Sequence, residues 1–191
     1  MDQQQQNHTI SVDVDGVICD LIGSVLRKFN ERTGQHIVAE QIRTFDLRVV
    51  LKDSWTIAHD ILAEPGFARD VKPYPGAING IEQLRTLGRV VFVTSPFHSS
   101  PTWSYERSQW LMHFAKARRR DIVHIDDKTL IRSDLLIDDA THQLEAWIKT
   151  GRPAIRVVRP WNSDAPGVAA QNWEEIVLRS KSILSDTSSG A

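Results

Sequence analysis

Cysteine is almost missing from this sequence. Cys19 is the only one among 191 residues, so no disulfide and no cysteine-built zinc site can form within the chain. That fits a reducing cytoplasm. Long apolar runs are missing too: no stretch approaches the ~20 residues of a membrane-spanning helix, and the polar start from Met1 to His8 lacks the apolar segment of a secretion signal. The expectation is a protein that is neither membrane-bound nor exported. An excess of either charge is also absent, since 23 basic residues face 24 acidic ones and the formal net charge is -1. Such a balance concentrates neither a polyanion such as DNA nor a membrane surface. The one strong basic cluster, Arg118-Arg119-Arg120, reads as the solvated end of a helix.

What the chain does have is an alternation of two patterns. Short runs rich in Ile and Val, at Thr9 to Val14, Arg89 to Thr94, Leu135 to Ile137 and Ala154 to Val158, with a weaker one at Ile122 to Ile125, predict buried strands. Between them lie amphipathic helical patterns. Ile78 to Leu87 is closed by Gly88, Tyr105 to Ala117 sets Trp110, Leu111 and Phe114 on one face, and a last helix starts at Asn172, whose side chain caps it while Glu175 reaches back. Strands alternating with helices predict an α/β fold, a Rossmann-like parallel sheet with helices on both faces. The 41% hydrophobic content suffices for one such core with a small accessory unit.

One gap is too long for this scheme. About fifty residues separate the loop after the first strand from Pro73, where a parallel crossover needs only a dozen or so. Leu21, Ile22, Val25, Leu26 and Phe29 form an amphipathic helix ending near Gly34, and Ser54 caps a second that carries Trp55, Ala58, Ile61 and Leu62 before Pro65-Gly66. The expected organisation is a core of residues 9–20 and 72–181, a helical cap of residues 21–71 inserted after the first strand, and flexible tails at 1–8 and 185–191.

Ligands of such sheets sit beyond the carboxyl ends of the strands, so the residues just after each apolar run carry the chemistry. Asp13-Val14-Asp15-Gly16-Val17 sets two carboxylates on one side of an extended chain, roughly 6 to 7 Å apart; alone it is as often a strand end followed by an Asp-Gly turn. Val93-Thr94-Ser95-Pro96 offers hydroxyls and turn amides to an anion, although an ordinary strand-to-loop transition reads the same way. Leu135-Leu136-Ile137 runs into Asp138-Asp139, adjacent acids that repel each other unless a cation or donors compensate them. Lys128, in a polar turn upstream, is by itself an ordinary surface lysine. Together they hold what phosphoryl transfer needs: an oxygen nucleophile, carboxylates for a divalent cation, donors for phosphate oxygens and an acid for the leaving group. The all-oxygen donor set points to Mg2+, and none of the seven histidines has metal-ligand spacing.

In this order the motifs resemble the four of the haloacid dehalogenase superfamily. More narrowly, the chain is similar to the 5'(3')-deoxyribonucleotidase family through Pro65-Gly66-Phe67, Pro75-Gly76-Ala77, Thr94-Ser95-Pro96, Asp127-Lys128-Thr129 and Asp134-Leu135-Leu136-Ile137-Asp138-Asp139. The resemblance runs from about residue 9 to residue 178 and is weak through the cap. It implies a magnesium-dependent phosphatase that dephosphorylates a small phosphomonoester, a nucleoside monophosphate, by way of an aspartyl-phosphate intermediate. Asp13 would be the nucleophile, and Asp15 the general acid and base, with its carbonyl beside the metal. Thr94, Ser95 and Lys128 would hold the transferring oxygens. Asp139, supported by Asp138, would join Asp13 as metal ligand, in an order that could be reversed. Phe67 is the aromatic position that matches a base-stacking residue, with Phe45 and Trp55 as weaker candidates.

Two positions depart from that pattern. His98 stands where a lysine often follows the second motif, and Ala140 where an arginine commonly follows the paired aspartates. Both leave the substrate less defined than the chemistry. The alternatives are a phosphatase of the same superfamily for a sugar phosphate or another small metabolite, a receiver-like signalling module, and a catalytically silent binding protein. Motif order and the cap disfavour the receiver, and the intact catalytic positions disfavour the silent protein. A cytoplasmic enzyme without nucleic-acid or membrane partners is expected, and a homodimer is left open.

Overall fold

Val, Ile and Leu dominate six strands, where branched side chains suit a pleated surface covered on both faces. They are β1 (Thr9–Val12), β2 (Arg89–Thr94), β3 (Ile122–His124), β4 (Leu135–Asp138), β5 (Ala154–Val157) and β6 (Val168–Ala170). In the computed structural model, which describes residues 8–188, all pair in parallel in the order β3-β2-β1-β4-β5-β6. The chain steps outward from β1 to β3, then returns to lay β4 on the other side of β1. Loops leaving β1 and β4 therefore diverge and open a crevice, the usual ligand position of such sheets. The predicted α/β fold is thus present. β6 was not expected, because Val168-Ala169-Ala170 is too short and too weakly apolar to be read as a strand.

The long gap between β1 and β2 is helical. It holds α1 (Leu21–Thr33), α2 (Leu47–Leu51), α3 (Trp55–Ala63) and α4 (Phe67–Asp70). Asp20 caps α1 by accepting from the Gly23 amide, and Gly34 ends it in the left-handed conformation at φ 71°. Ser54 precedes α3 as expected but makes no side-chain capping bond. Buried residues of α1 and α3 such as Phe29 and Ile61 belong to the same apolar cluster as the sheet residues Ile10 and Phe92, so the insert shares one core with the sheet.

Four more helices complete the fold: α5 (Ala77–Leu87), α6 (Trp103–Phe114), α7 (Thr141–Lys149) and α8 (Trp173–Ser188). α5 and α8 approach closely because Gly80 has no side chain; a Cβ there would lie 2.2 Å from the Trp173 ring. Trp110 on α6 is buried, and its indole N–H donates to the Val71 carbonyl at 2.6 Å, tying α6 to the end of the insert. Burying a ring of that size contributes on the order of 1.5–3 kcal/mol. Asn172 caps α8 through the Glu175 amide at 3.0 Å, while the Glu175 carboxylate reaches the Gln171 amide, one residue farther back than a capping box. The tail expected from residue 185 is corrected in part: α8 continues through Ser188, and the remaining tail residues 1–7 and 189–191 lie outside the described residues.

Candidate active site

The site is built by the loops that follow β1 and β4. The Asp13 amide still bonds the Ile137 carbonyl at 2.9 Å, so Asp13 sits at the last rung of the sheet. Beyond it the chain turns sharply at Gly16, whose φ of 85° suits glycine. Glycine is needed there twice over, since a Cβ would lie 2.3 Å from Asp139 Oδ2. The turn closes through the Gly16 amide on the Cys19 carbonyl, and Asp20 returns its amide to Lys72, where the insert ends.

Asp13, Asp138 and Asp139 form one buried acidic group, with an oxygen of each within 4.8 Å of the others. Lys128 enters it from the turn after β3. Its Nζ, almost wholly buried, donates to Asp13 Oδ1 at 2.5 Å and to Asp138 Oδ2 at 2.7 Å. The second oxygen of Asp138 accepts from the Ala140 amide at 2.9 Å, so both oxygens of Asp138 are occupied by protein donors. Asp139 differs. Its Oδ2 accepts from the Trp161 indole at 3.0 Å, whereas its Oδ1 is buried and without a hydrogen-bond partner. A buried carboxylate oxygen is seldom left unmatched, and one facing other carboxylates fits a hard cation.

The electrostatics agree. Burial, reinforced by the charges of Asp138, Asp139 and Asp15, raises Asp13 well above the usual carboxylate range against the pull of Lys128. Burial and Asp138 push Asp139 up to about 7, opposed by Arg159, Lys128 and the Trp161 hydrogen bond. Burial alone would lower Lys128, but the adjoining carboxylates of Asp13 and Asp138 hold it above the usual lysine value. The lysine therefore stays charged, and the carboxylates hold an excess of negative charge that a divalent cation would neutralise.

The Asp15 carboxylate turns away from this group. Arg107 Nη2 donates to Asp15 Oδ1 at 2.5 Å, and Cys19 Sγ and Thr94 Oγ1 make longer contacts of 3.4 and 3.5 Å. Arg107 lies on α6, fully buried, between the rings of Trp103 and Trp110 at 5.2 and 5.8 Å, and it also donates to the Ala68 carbonyl of the insert at 2.8 Å. Sequence reasoning missed it. The signal was there: Trp103, Arg107 and Trp110 share one helix face, and a cation inside an aromatic stripe is out of place unless it meets an anion.

A second missed group follows β5. Asn162 donates to the carbonyls of Asp139 and Val157 at 2.7 and 2.9 Å, Trp161 holds the Asp139 carboxylate, and Arg159 Nε donates to the Gly16 carbonyl at 2.7 Å while its guanidinium covers the Tyr74 ring at 4.1 Å. This loop braces both halves of the acidic group. The rule of inspecting residues just after each apolar run would have found it after Ala154 to Val158.

Above the acids opens a cavity of about 490 Å³. Asp13, Asp15, Ser95, Lys128 and Asp139 line its polar end, and Leu21, Phe45, Leu62, Phe97 and Trp103 its apolar side. Ser95 Oγ donates to the Ile125 carbonyl at 3.4 Å, and Thr94 is fully buried behind it. Phe67 is a correction. It does not line the cavity but stacks on Trp103 at 6.4 Å; Phe97 and the equally buried Trp103 are the lining rings instead. Phe67 follows Gly66 into α4, which packs inward against α6. His98 does not line the cavity either, since it is exposed and bonds Asp126. Phe45 does, paired edge-on with His142 at 5.6 Å, whereas Trp55 packs beside His59 outside the lining.

A doubly wound parallel sheet with a helical insert after its first strand, and an acidic group with a lysine at its switch point, define a hydrolase of the haloacid dehalogenase type. A haloacid dehalogenase-like family hydrolase from Xanthomonas campestris superposes over all of this chain and 97% of its own with a TM-score of 0.61 at 11% identity, which shows the shared fold. The chain belongs to the family described as 5' nucleotidase, deoxy (pyrimidine), cytosolic type C protein, whose model matches residues 7–183. Relatives from Staphylococcus epidermidis and Staphylococcus aureus, each named "Putative 5'(3')-deoxyribonucleotidase", are 31% and 30% identical over 137 and 146 residues, or 71% and 76% of this chain and 76% and 79% of theirs. Among the described residues no helix is long and apolar enough to cross a membrane.

Proposed function

We propose that this hydrolase is a magnesium-dependent phosphatase that dephosphorylates nucleoside monophosphates, deoxyribonucleotides foremost, through a covalent intermediate on Asp13. The observation that carries the chemistry is the buried Asp13 carboxylate, set at the cavity floor against Lys128 with the unpartnered Asp139 oxygen beside it. Asp13 and Asp139 would hold Mg2+, with Asp138 orienting Lys128 behind them. Bound there, Mg2+ supplies the positive charge that lets a phosphate dianion approach several carboxylates.

The chain's own residues then divide the work. An Asp13 oxygen attacks phosphorus as the ester P–O bond breaks, and the departing oxygen takes a proton from Asp15, which Arg107 holds in place. Asp15, now ionised, accepts a proton from water whose oxygen attacks the phosphoryl group, releasing phosphate and restoring Asp13. Lys128 faces the oxygens that gain charge, where a fixed donor counts most, and the Ser95 hydroxyl would join it by turning from its long bond to the Ile125 carbonyl. Residues 21–71 serve as a cap over the core formed by residues 9–20 and 72–181.

The nucleotide reading is supported by the family and by the rings of Phe97, Trp103 and Phe45 along the cavity. A ring stacked on a base contributes on the order of 1 to 3 kcal/mol, enough for a preference. Steady-state rates with Mg2+ for deoxyuridine and thymidine monophosphates against hexose phosphates test it. The expected result is higher kcat/KM for the nucleotides, cut several-fold by Phe97→Ala; equal efficiencies would leave the sugar-phosphatase alternative.

A further inference from the structure

The cavity is lined by four aspartates, Asp13, Asp15, Asp126 and Asp139, against the single lysine Lys128. Three of the four are tied into the walls by Lys128, Arg107 and Trp161. Asp126 is not part of that arrangement. It follows β3 on the turn leading to Lys128, its carbonyl is fixed by Gln143 Nε2 at 2.7 Å, and its carboxylate faces out, 66% exposed. Its Oδ2 meets His98 Nε2 at 3.1 Å. An exposed pair of this kind contributes little to stability. Asp126 nonetheless belongs to the lining, so its carboxylate stands at the open rim of a pocket already rich in negative charge.

Resting on the phosphatase reading, we infer that Asp126 is a specificity-determining residue that selects phosphomonoesters of uncharged alcohols and disfavours substrates with a second anionic group. The transferring phosphate is compensated by Lys128 and the cation for which the acidic group is suited; a second phosphate in this cavity has no such partner and meets Asp126. At a separation of roughly 6 to 8 Å and an effective dielectric between those of water and the protein surface, repulsion of that size shifts kcat/KM about five- to tenfold and weakens with salt. The apolar side of Leu21, Phe97 and Trp103 adds to the same selection, since it solvates a neutral body and not a charge.

The experiment compares kcat/KM for thymidine 5'-monophosphate with thymidine 3',5'-bisphosphate, and for glucose 1-phosphate with glucose 1,6-bisphosphate, in the wild type, Asp126→Asn and His98→Ala at low and high salt. Asp126 is exposed, so the variant should fold. The expected result is a monophosphate preference that Asp126→Asn lowers about fivefold, that His98→Ala preserves or sharpens, and that salt shrinks more in the wild type than in Asp126→Asn. A preference identical in wild type and Asp126→Asn overturns the assignment while leaving the phosphatase reading intact. Failure to hydrolyse any monoester in the panel removes both.

Discussion

At the scale of single residues the site is governed by how few donors share a surplus of carboxylates. Lys128 bonds Asp13 and Asp138 at once, while Asp139 in the same group keeps a buried oxygen without a protein partner. Replacing Asp13 by Asn removes the proposed nucleophile but keeps size and polarity. Turnover should fall more than about a thousandfold, while the melting temperature holds or rises because one of several repelling charges is gone. Near-native turnover by that variant would exclude Asp13 as nucleophile. Arg107 acts one step away, by holding Asp15. Arg107→Lys keeps the charge and loses the second bond to Ala68, so that in the proposed mechanism the proton for the leaving oxygen is worse placed. We expect kcat to drop about tenfold for a nucleotide and much less for p-nitrophenyl phosphate, whose leaving group needs no proton. Equal losses on both substrates would make Arg107 a structural residue only.

At the scale of elements, strand ends carry the candidate site, and this was the most legible level of the sequence. The residues following β1, β2 and β4 could be named because an apolar run that stops at acids or hydroxyls is visible in one dimension. Less legible were groups whose partners lie far along the chain: Arg107 reaches Asp15 from another helix, and the loop after β5 reaches Asp139 and Gly16. Aromatic identity also misled. Phe67, Phe97 and Trp103 are equally suited to stacking, and only packing decides that Phe67 lies beneath Trp103. The loop after β5 gives a test of its own. Trp161→Phe preserves the buried ring and deletes the bond to Asp139, so Mg2+ affinity measured by calorimetry should weaken about tenfold with the cation-free melting temperature little changed. Unaltered affinity would show that the indole N–H does not orient the carboxylate.

At the scale of the whole molecule, the acidic group links stability to pH and to the cation. Burial and the charge of Asp138 push Asp139 up to about 7 in the folded protein, above the usual carboxylate value it has when unfolded. Between about pH 4 and 7 the native state thus holds a proton that the unfolded chain has lost, and the stability this contributes disappears as pH rises through that window. Cation binding must displace the proton. Added Mg2+ should therefore raise the melting temperature more at pH 8 than at pH 5.5, and an equal rise at both would mean that the cation does not compete for these carboxylates.

The insert between β1 and β2 has one further property. It departs at Asp20 and returns at Lys72, and those two residues are hydrogen-bonded to each other at 3.0 Å. Topologically it is a loop whose ends are already closed by the sheet domain, and the entropy of closing a loop grows only slowly with its length. A segment attached in this way can change length without altering strand order, as long as it keeps Phe29 and Ile61 in the shared core and the Ala68 and Val71 carbonyls that hold Arg107 and Trp110. Phe45, which the insert adds to the cavity and which is half exposed, can then vary while the strand-end residues stay fixed, so that descendants of one ancestor can share a scaffold and differ in diet.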